Sequence, residues 1–269
     1  MKGFNDGIGR MIRATFDALV CDLDGVIYRG DAAIPGAPEA IERLRRDGTR
    51  VVFCTNNSRS TVDDYIVKLA RFGIVATSDE IVTSGIVTAH VLKERGFAGK
   101  TAIVMGGDGL RAALSDVCIS VKDDPRVSVA DLVVVGWDIG FTYEKMKRAA
   151  IAVQRGATLI ATNDDASFPA PDGVLWPGTG AIVASIETAT GVTAEVMGKP
   201  NEPMLDFVVE RLGGVKQIAA VGDRPDTDLA GAAARGWTTI LVLSGVTSER
   251  DVASISPAPD HVLRSLADL

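Results

Sequence analysis

Residues 17–26 read Asp17-Ala18-Leu19-Val20-Cys21-Asp22-Leu23-Asp24-Gly25-Val26. A short apolar run of strand length is ended by two aspartates with a glycine behind them. Acidic side chains are thus delivered at the C-terminal end of a strand, where open α/β sheets bind their ligands. Similar runs recur at Arg50–Thr55, Thr101–Met105, Leu132–Gly136, Thr158–Ala161, Thr193–Val196, Ile218–Val221 and Thr238–Leu243. Helix-period stretches lie between them, at Pro38–Asp47, Ser60–Phe72, Ser84–Glu94, Thr142–Gln154, Thr179–Thr190, Pro203–Leu212 and Thr227–Arg235. Several open on a Ser or Thr cap and close on Gly. This alternation predicts an α/β fold built on a parallel sheet. Because side chains alternate along a strand, Asp22 and Asp24 can point the same way and share a small volume. Like charges there call for a divalent metal, or for a proton kept by one carboxyl. An aspartate pair capping a turn after a buried strand is the plain alternative.

The chain has 269 residues, enough to bury a core without a disulfide or metal staple. Its 28 glycines and 11 prolines fall well below the roughly 25–30% of low-complexity chains, which excludes disorder and fibre. A net charge of −7 has the wrong sign for wrapping phosphate backbones, so nucleic acid is not the expected partner. Cys21, Cys54 and Cys118 are odd in number and have no CxxC spacing; neither a secreted disulfide framework nor a zinc knuckle is indicated, and a reducing cytoplasm fits best. The N-terminal MKGFNDGIGRMIRATF lacks an apolar signal region, and no apolar run is long enough to span a bilayer. With no Pro/Ser linker and no repeat period, any second domain is expected as an insertion.

Three further loops carry chemistry. Residues 51–60, VVFCTNNSRS, end a strand in Thr55, Asn56, Asn57 and Ser58, where a hydroxyl and loop N–H groups can hold an oxyanion. The bland reading is a turn in which Ser58 or Ser60 caps the next helix. In VMGKPNEP, residues 196–203, Pro200 pushes Lys199 toward an extended conformation, so the lysine stands in a loop. A nucleotide-binding P-loop fails here, since Thr193 stands where its first Gly belongs and Pro200 replaces Ser/Thr. In IAAVGDRPDTDLAGAAARG, residues 218–236, a strand is followed by Asp223, Asp226 and Asp228. Asp226 and Asp228 suit a helix N-terminus, whereas Asp223 at the strand end suits hard-cation ligation of the Mg²⁺ kind. His90 and His261 lie in no nucleophile pattern, and Gly106-Gly107-Asp108-Gly109 lacks the dinucleotide spacing, so these are read as structural.

Taken in order, Asp22-Leu23-Asp24-Gly25-Val26, Thr55-Asn56, Lys199-Pro200 and Gly222-Asp223 with Asp228 resemble the haloacid dehalogenase superfamily of phosphohydrolases. The resemblance covers nearly the whole chain. It implies a Rossmann-like core in residues 1–85 and 179–269, with an inserted α/β cap over residues 86–178. That cap is similar to the one in the branch holding NagD proteins, 4-nitrophenyl phosphatases, phosphoglycolate phosphatases and pyridoxal phosphatases. ATNDDASFP, residues 161–169, followed by PGTGA, is similar to that branch's cap loop.

What the resemblance implies is Mg²⁺-dependent hydrolysis of small phosphate monoesters. Asp22 is then the nucleophile that forms an aspartyl-phosphate, and Asp24 the acid and later the base. Mg²⁺ is expected on Asp22, the Asp24 carbonyl and Asp223, with Asp228 a direct or outer ligand. Thr55, the backbone of Asn56 and Asn57, and Lys199 are expected on the phosphoryl oxygens. Asn163, Asp165 and Phe168 are the candidates for contact with the leaving group. The negative charge of Asp164 and Asp165 favours neutral polyols or sugars, and Phe168, where the pyridoxal branch tends to carry His, weakens the case for pyridoxal phosphate. Four carboxylates would exclude a phosphate dianion without a cation, which argues for the metal on charge alone. A phosphotransferase on the same core, or a phosphate-metabolite binding protein with little turnover, are the alternatives. A homodimer is left open as the assembly.

Overall fold

The computed structural model describes residues 12, 16–169 and 174–269. Most of the basic N-terminal stretch lies outside the described residues. The strands in chain order are β1 (Ala18–Cys21), β2 (Tyr28–Arg29), β3 (Ala32–Ala33), β4 (Arg50–Thr55), β5 (Ile81–Thr83), β6 (Thr101–Met105), β7 (Ser120–Val121) and β8 (Leu132–Val135). They continue with β9 (Thr158–Ala161), β10 (Ser167–Pro169), β11 (Leu175–Pro177), β12 (Glu195–Val196), β13 (Ile218–Gly222), β14 (Thr238–Val242) and β15 (His261–Leu263). The α-helices are α1 (Ala37–Arg46), α2 (Val62–Arg71), α3 (Ser84–Glu94), α4 (Asp108–Asp116), α5 (Tyr143–Gln154), α6 (Thr179–Thr190), α7 (Glu202–Leu212) and α8 (Ala230–Ala234).

The chain divides into two compact units. The first comprises residues 1–55, 65–82 and 205–269 and holds a six-stranded sheet in the order β15-β14-β13-β1-β4-β5. β1 pairs in parallel with both β13 and β4, placing Cys21 opposite Val221 and Phe53. Every residue of β1 and β13 is buried, as expected of central strands covered on both faces. Parallel pairing also brings the C-terminal ends of β1, β4, β13 and β14 to one edge of the sheet, with the loops that follow them.

The second unit comprises residues 56–64 and 83–204 and has a five-stranded sheet in the order β12-β9-β8-β6-β7. Strand alternation splits its core in two. Ile103, Met105, Val133, Val135, Leu159 and Ala161 face one layer, with Ala149, Val153, Ile182 and Ile186 of α5 and α6. Ala102, Val104, Leu132, Val134 and Ile160 face the other, with Ala89, Leu92, Leu110 and Leu114 of α3 and α4. A helix layer on each face is what a parallel sheet of continuous apolar strands requires.

This packing moves the second boundary of the inserted unit. Gly178 was expected to end it, but α6 belongs to its core and β12 pairs with β9. A two-point ion pair from Arg95 to Glu195, at 2.6 and 2.7 Å, fastens β12 to the end of α3. At the other boundary, residue 86 falls inside α3, and the long segment of the second unit begins at Thr83.

Candidate active site

In the first unit, β1 ends at Cys21 and the chain turns at once: Ile27 and Tyr28 donate their N–H groups to Leu23 O, and Gly25 donates to Tyr28 O. One carboxylate oxygen from each of Asp22, Asp223 and Asp228 lies within 4.8 Å of the others. The Asp24 carboxylate is not part of this cluster. The turn after Cys21 ends the strand alternation on which Asp22 and Asp24 were expected to point the same way, and Asp22 meets Asp223 and Asp228 of the β13 loop. At that separation two ionised carboxylates repel by roughly 3–4 kcal/mol at an effective dielectric constant of about 20. Three hard oxygen donors from two strand ends suit a divalent cation such as Mg²⁺ or Ca²⁺.

The loops around the cluster are tightly specified. Asp223 and Asp228 are buried. An Asp223 carboxylate oxygen accepts the Val246 N–H at 2.6 Å, and the Thr247 hydroxyl donates to the Asp223 carbonyl at 2.6 Å. Asp228 accepts two N–H groups, from Asp223 and Arg224, across a π-type turn at Pro225–Leu229 that precedes α8. A single helix over Thr227–Arg235 was expected; the turn replaces its first part. Gly25, at φ 84°, leaves room for Asp223: a Cβ there would stand 2.5 Å from the Asp223 carboxylate. Ser244 donates to the Gly25 carbonyl at 2.7 Å, which ties the β14 loop to the β1 loop. Ser244, Val246 and Thr247 escaped the sequence reading, although Ser244-Gly245 directly after an apolar strand is the same signal that marked the other loops. Tyr28, on β2, is fully buried, with Lys68 Nζ 3.6 Å from its ring centroid. Burial, and then the negative charge of Asp24, push its hydroxyl above the ordinary tyrosine range.

Thr55 is buried at the end of β4, and its peptide bond to Asn56 leads into the second unit. There Asn56, Asn163, Asp165 and Lys199 form one network. The Asn56 side chain accepts the Lys199 N–H at 2.8 Å and donates to the Lys199 carbonyl at 3.1 Å. It also donates to the Asp165 carboxylate, at 3.3 and 3.4 Å. Asn163 donates to the Asn56 carbonyl at 2.7 Å and accepts the Asp165 N–H at 3.2 Å. Asn163, a candidate for contact with the leaving group, is 3% exposed. Lys199 precedes a cis peptide bond to Pro200 and is 5% exposed, far from a solvated surface lysine.

Asn57 uses its side chain to accept the Arg59 N–H at 2.9 Å. Ser58 is fully buried against Thr162, and neither it nor Ser60 caps the next helix. Thr61 does, exchanging hydrogen bonds with Asp64, whose carboxyl is held below its usual range by the Thr61 N–H and then the Thr61 hydroxyl. Phe168, on β10, stacks on Trp137 with ring centroids 4.5 Å apart. Cys21 and Cys54 are buried thiols, neither of them in a disulfide.

Residues 19–120 match the model of the haloacid dehalogenase-like hydrolases, and residues 196–269 match that of HAD-hydrolase-like domains. An acid sugar phosphatase of Staphylococcus epidermidis is 37% identical over 252 residues, covering 93% of this chain and 95% of the relative. The p-nitrophenyl phosphatase from Archaeoglobus fulgidus has a similar structure, with a TM-score of 0.86 and 32% identity over 94% of this chain and 97% of that one. The glycerol phosphate phosphatase of Mycobacterium tuberculosis, solved in complex with magnesium, gives a TM-score of 0.85 at 32% identity, covering 96% of this chain and 77% of that one. The chain belongs to the haloacid dehalogenase-like hydrolases, in their NagD-like branch of phosphoric monoester hydrolases.

Proposed function

We propose that this protein hydrolyses small-molecule phosphate monoesters through an aspartyl-phosphate on Asp22, with Asp24 as general acid and base. The observation that carries the reading is the split among the aspartates: Asp22, Asp223 and Asp228 converge, while the Asp24 carboxylate stays out of their cluster. A metal on the clustered carboxylates needs them ionised, which leaves the carboxyl outside the cluster as the one free to carry a proton. In the first step an Asp22 oxygen forms a bond to phosphorus, the ester P–O bond breaks, and Asp24 gives its proton to the departing oxygen. In the second step Asp24 takes a proton from water, the water oxygen bonds to phosphorus, and the Asp22–phosphorus bond breaks to release phosphate. Thr55, the N–H groups of Asn56 and Asn57, and Lys199 hold the phosphoryl oxygens.

The Asp22, Asp223 and Asp228 carboxylates, with the Asp24 carbonyl, are suited to hold Mg²⁺, which when bound offsets their charge and the charge that builds on the phosphoryl group. No helix among the described residues is long and apolar enough to cross a membrane. With its cysteines present as thiols, the proposed setting is the cytoplasm. Phosphate release from 4-nitrophenyl phosphate, glycerol phosphate and sugar phosphates, with Mg²⁺ and with EDTA, tests the reading. Release that needs the metal supports it. Silence across the panel, with phosphate still bound, would favour a binding protein instead.

A further inference from the structure

Asn163 and Asp165 stand on the loop after β9 that was expected to meet the leaving group, yet their hydrogen bonds run to Asn56. Two donors, Asn163 Nδ2 at 2.7 Å and Ser84 Oγ at 2.5 Å, hold the Asn56 carbonyl. In a trans peptide the next N–H points opposite to that carbonyl, so this grip aims the Asn57 N–H. Asp165 holds the other end of the same residue, accepting from the Asn56 side chain that brackets the Lys199 backbone. Gly198 permits the close approach: a Cβ there would lie 2.5 Å from Thr162 O and 2.6 Å from Asn56 Oδ1. A buried network with its donors and acceptors matched fixes its members in one arrangement.

We propose that Asn163 and Asp165 are positioning residues, which act through Asn56 to set the Asn57 N–H and the Lys199 backbone, and so act on the phosphoryl group rather than the leaving group. The proposal rests on the phosphatase reading above. Three measurements on wild type, Asp165→Ala and Asp165→Asn test it: inhibition by inorganic phosphate, and kcat/KM for 4-nitrophenyl phosphate and for glycerol phosphate. Positioning predicts that Asp165→Ala raises the phosphate inhibition constant by about three- to tenfold, the worth of one hydrogen bond. It lowers kcat/KM for both esters by a common factor. Asp165→Asn keeps an acceptor toward Asn56 and restores most of both. Asp165 is partly exposed, so Asp165→Ala keeps the test usable where the buried Asn163→Ala fails to fold. An unchanged phosphate constant, whether the ratio between the two esters shifts or stays, would overturn the proposal. If wild type hydrolyses neither ester, the proposed function fails, and calorimetric titration of the same variants with phosphate and Mg²⁺ still decides the positioning claim.

Discussion

One carboxylate oxygen of Asp228 accepts the backbone N–H of Asp223 at 3.1 Å and that of Arg224 at 3.0 Å. The last acidic residue of the pattern therefore shapes the loop that carries the one before it, besides contributing its own charge to the cluster. Asn and Ala separate the two effects. Asp228→Asn keeps an oxygen toward these N–H groups and is expected to fold normally, while the Mg²⁺ concentration for half-maximal activity rises roughly 10–100-fold. Asp228→Ala is expected to lose a further 1–3 kcal/mol or so of stability, from the orphaned donors. Mg²⁺ titration of activity beside urea unfolding distinguishes the pair.

Asp223 is gripped from the β14 loop, by the Val246 N–H and the Thr247 hydroxyl. Thr247→Val preserves the shape of the side chain and removes only the donor. Activity at saturating Mg²⁺ is expected to fall by about three- to tenfold, in line with one neutral hydrogen bond. Steady-state kinetics with 4-nitrophenyl phosphate provide the check, and an unchanged kcat would show that the hydroxyl is not needed to place Asp223.

A methyl group at position 245 would fall on the Asp223 carboxylate. Gly245→Ala must therefore push that side chain aside, and a displacement of about 1 Å in a reacting constellation costs roughly a hundredfold. The variant is expected to remain folded, with its activity reduced on that scale. Circular dichroism and phosphate release, measured together, test the two halves of this statement.

Asp260 clamps β14 from outside the site, accepting the Thr239 N–H and hydroxyl at 2.8 Å each. These contacts, the N–H above all, hold its carboxyl below the ordinary aspartate range. The folded pKa is thus lower than the unfolded value of about 3.9, so the stabilisation is present above that pH and is lost as pH falls through the folded value. Asp260→Ala is expected to lower stability by about 1–2 kcal/mol at pH 7. The gap from wild type should close toward pH 3. Urea midpoints at the two pH values measure it.

Much of this architecture was legible because the central strands are continuous apolar runs bounded by Gly, Asn or Asp. β4, β6 and β9 coincide with their expected spans, as do α3 and α6. The elements that escaped are short or lie at edges. β5 and β15 have three residues each, and β10 and β11 pair in a hairpin of their own with a proline ending each strand. α4 was hidden because Gly106-Gly107-Asp108 reads as a turn, although Leu110 and Leu114 pack into the second core. The acidic residues could be placed at strand ends from sequence, and Asp22, Asp223 and Asp228 do meet. The knot around Asn56 could not be foreseen, because its partners lie more than a hundred residues away in the chain and only the folded second unit joins them. The same holds for the boundary of that unit: α6 follows the expected end of the insertion in sequence, but its apolar face completes the core there.

The central claim is that phosphorus is carried on Asp22 during turnover. Acid-quenched single turnovers with phosphorus-labelled 4-nitrophenyl phosphate and Mg²⁺, followed by peptide mapping, test it most directly. The account predicts a phosphoryl group on the peptide that contains Asp22, formed with the first equivalent of nitrophenol and absent in Asp22→Asn. Nitrophenol release with no labelled peptide at any time, or a label on another residue, would contradict it.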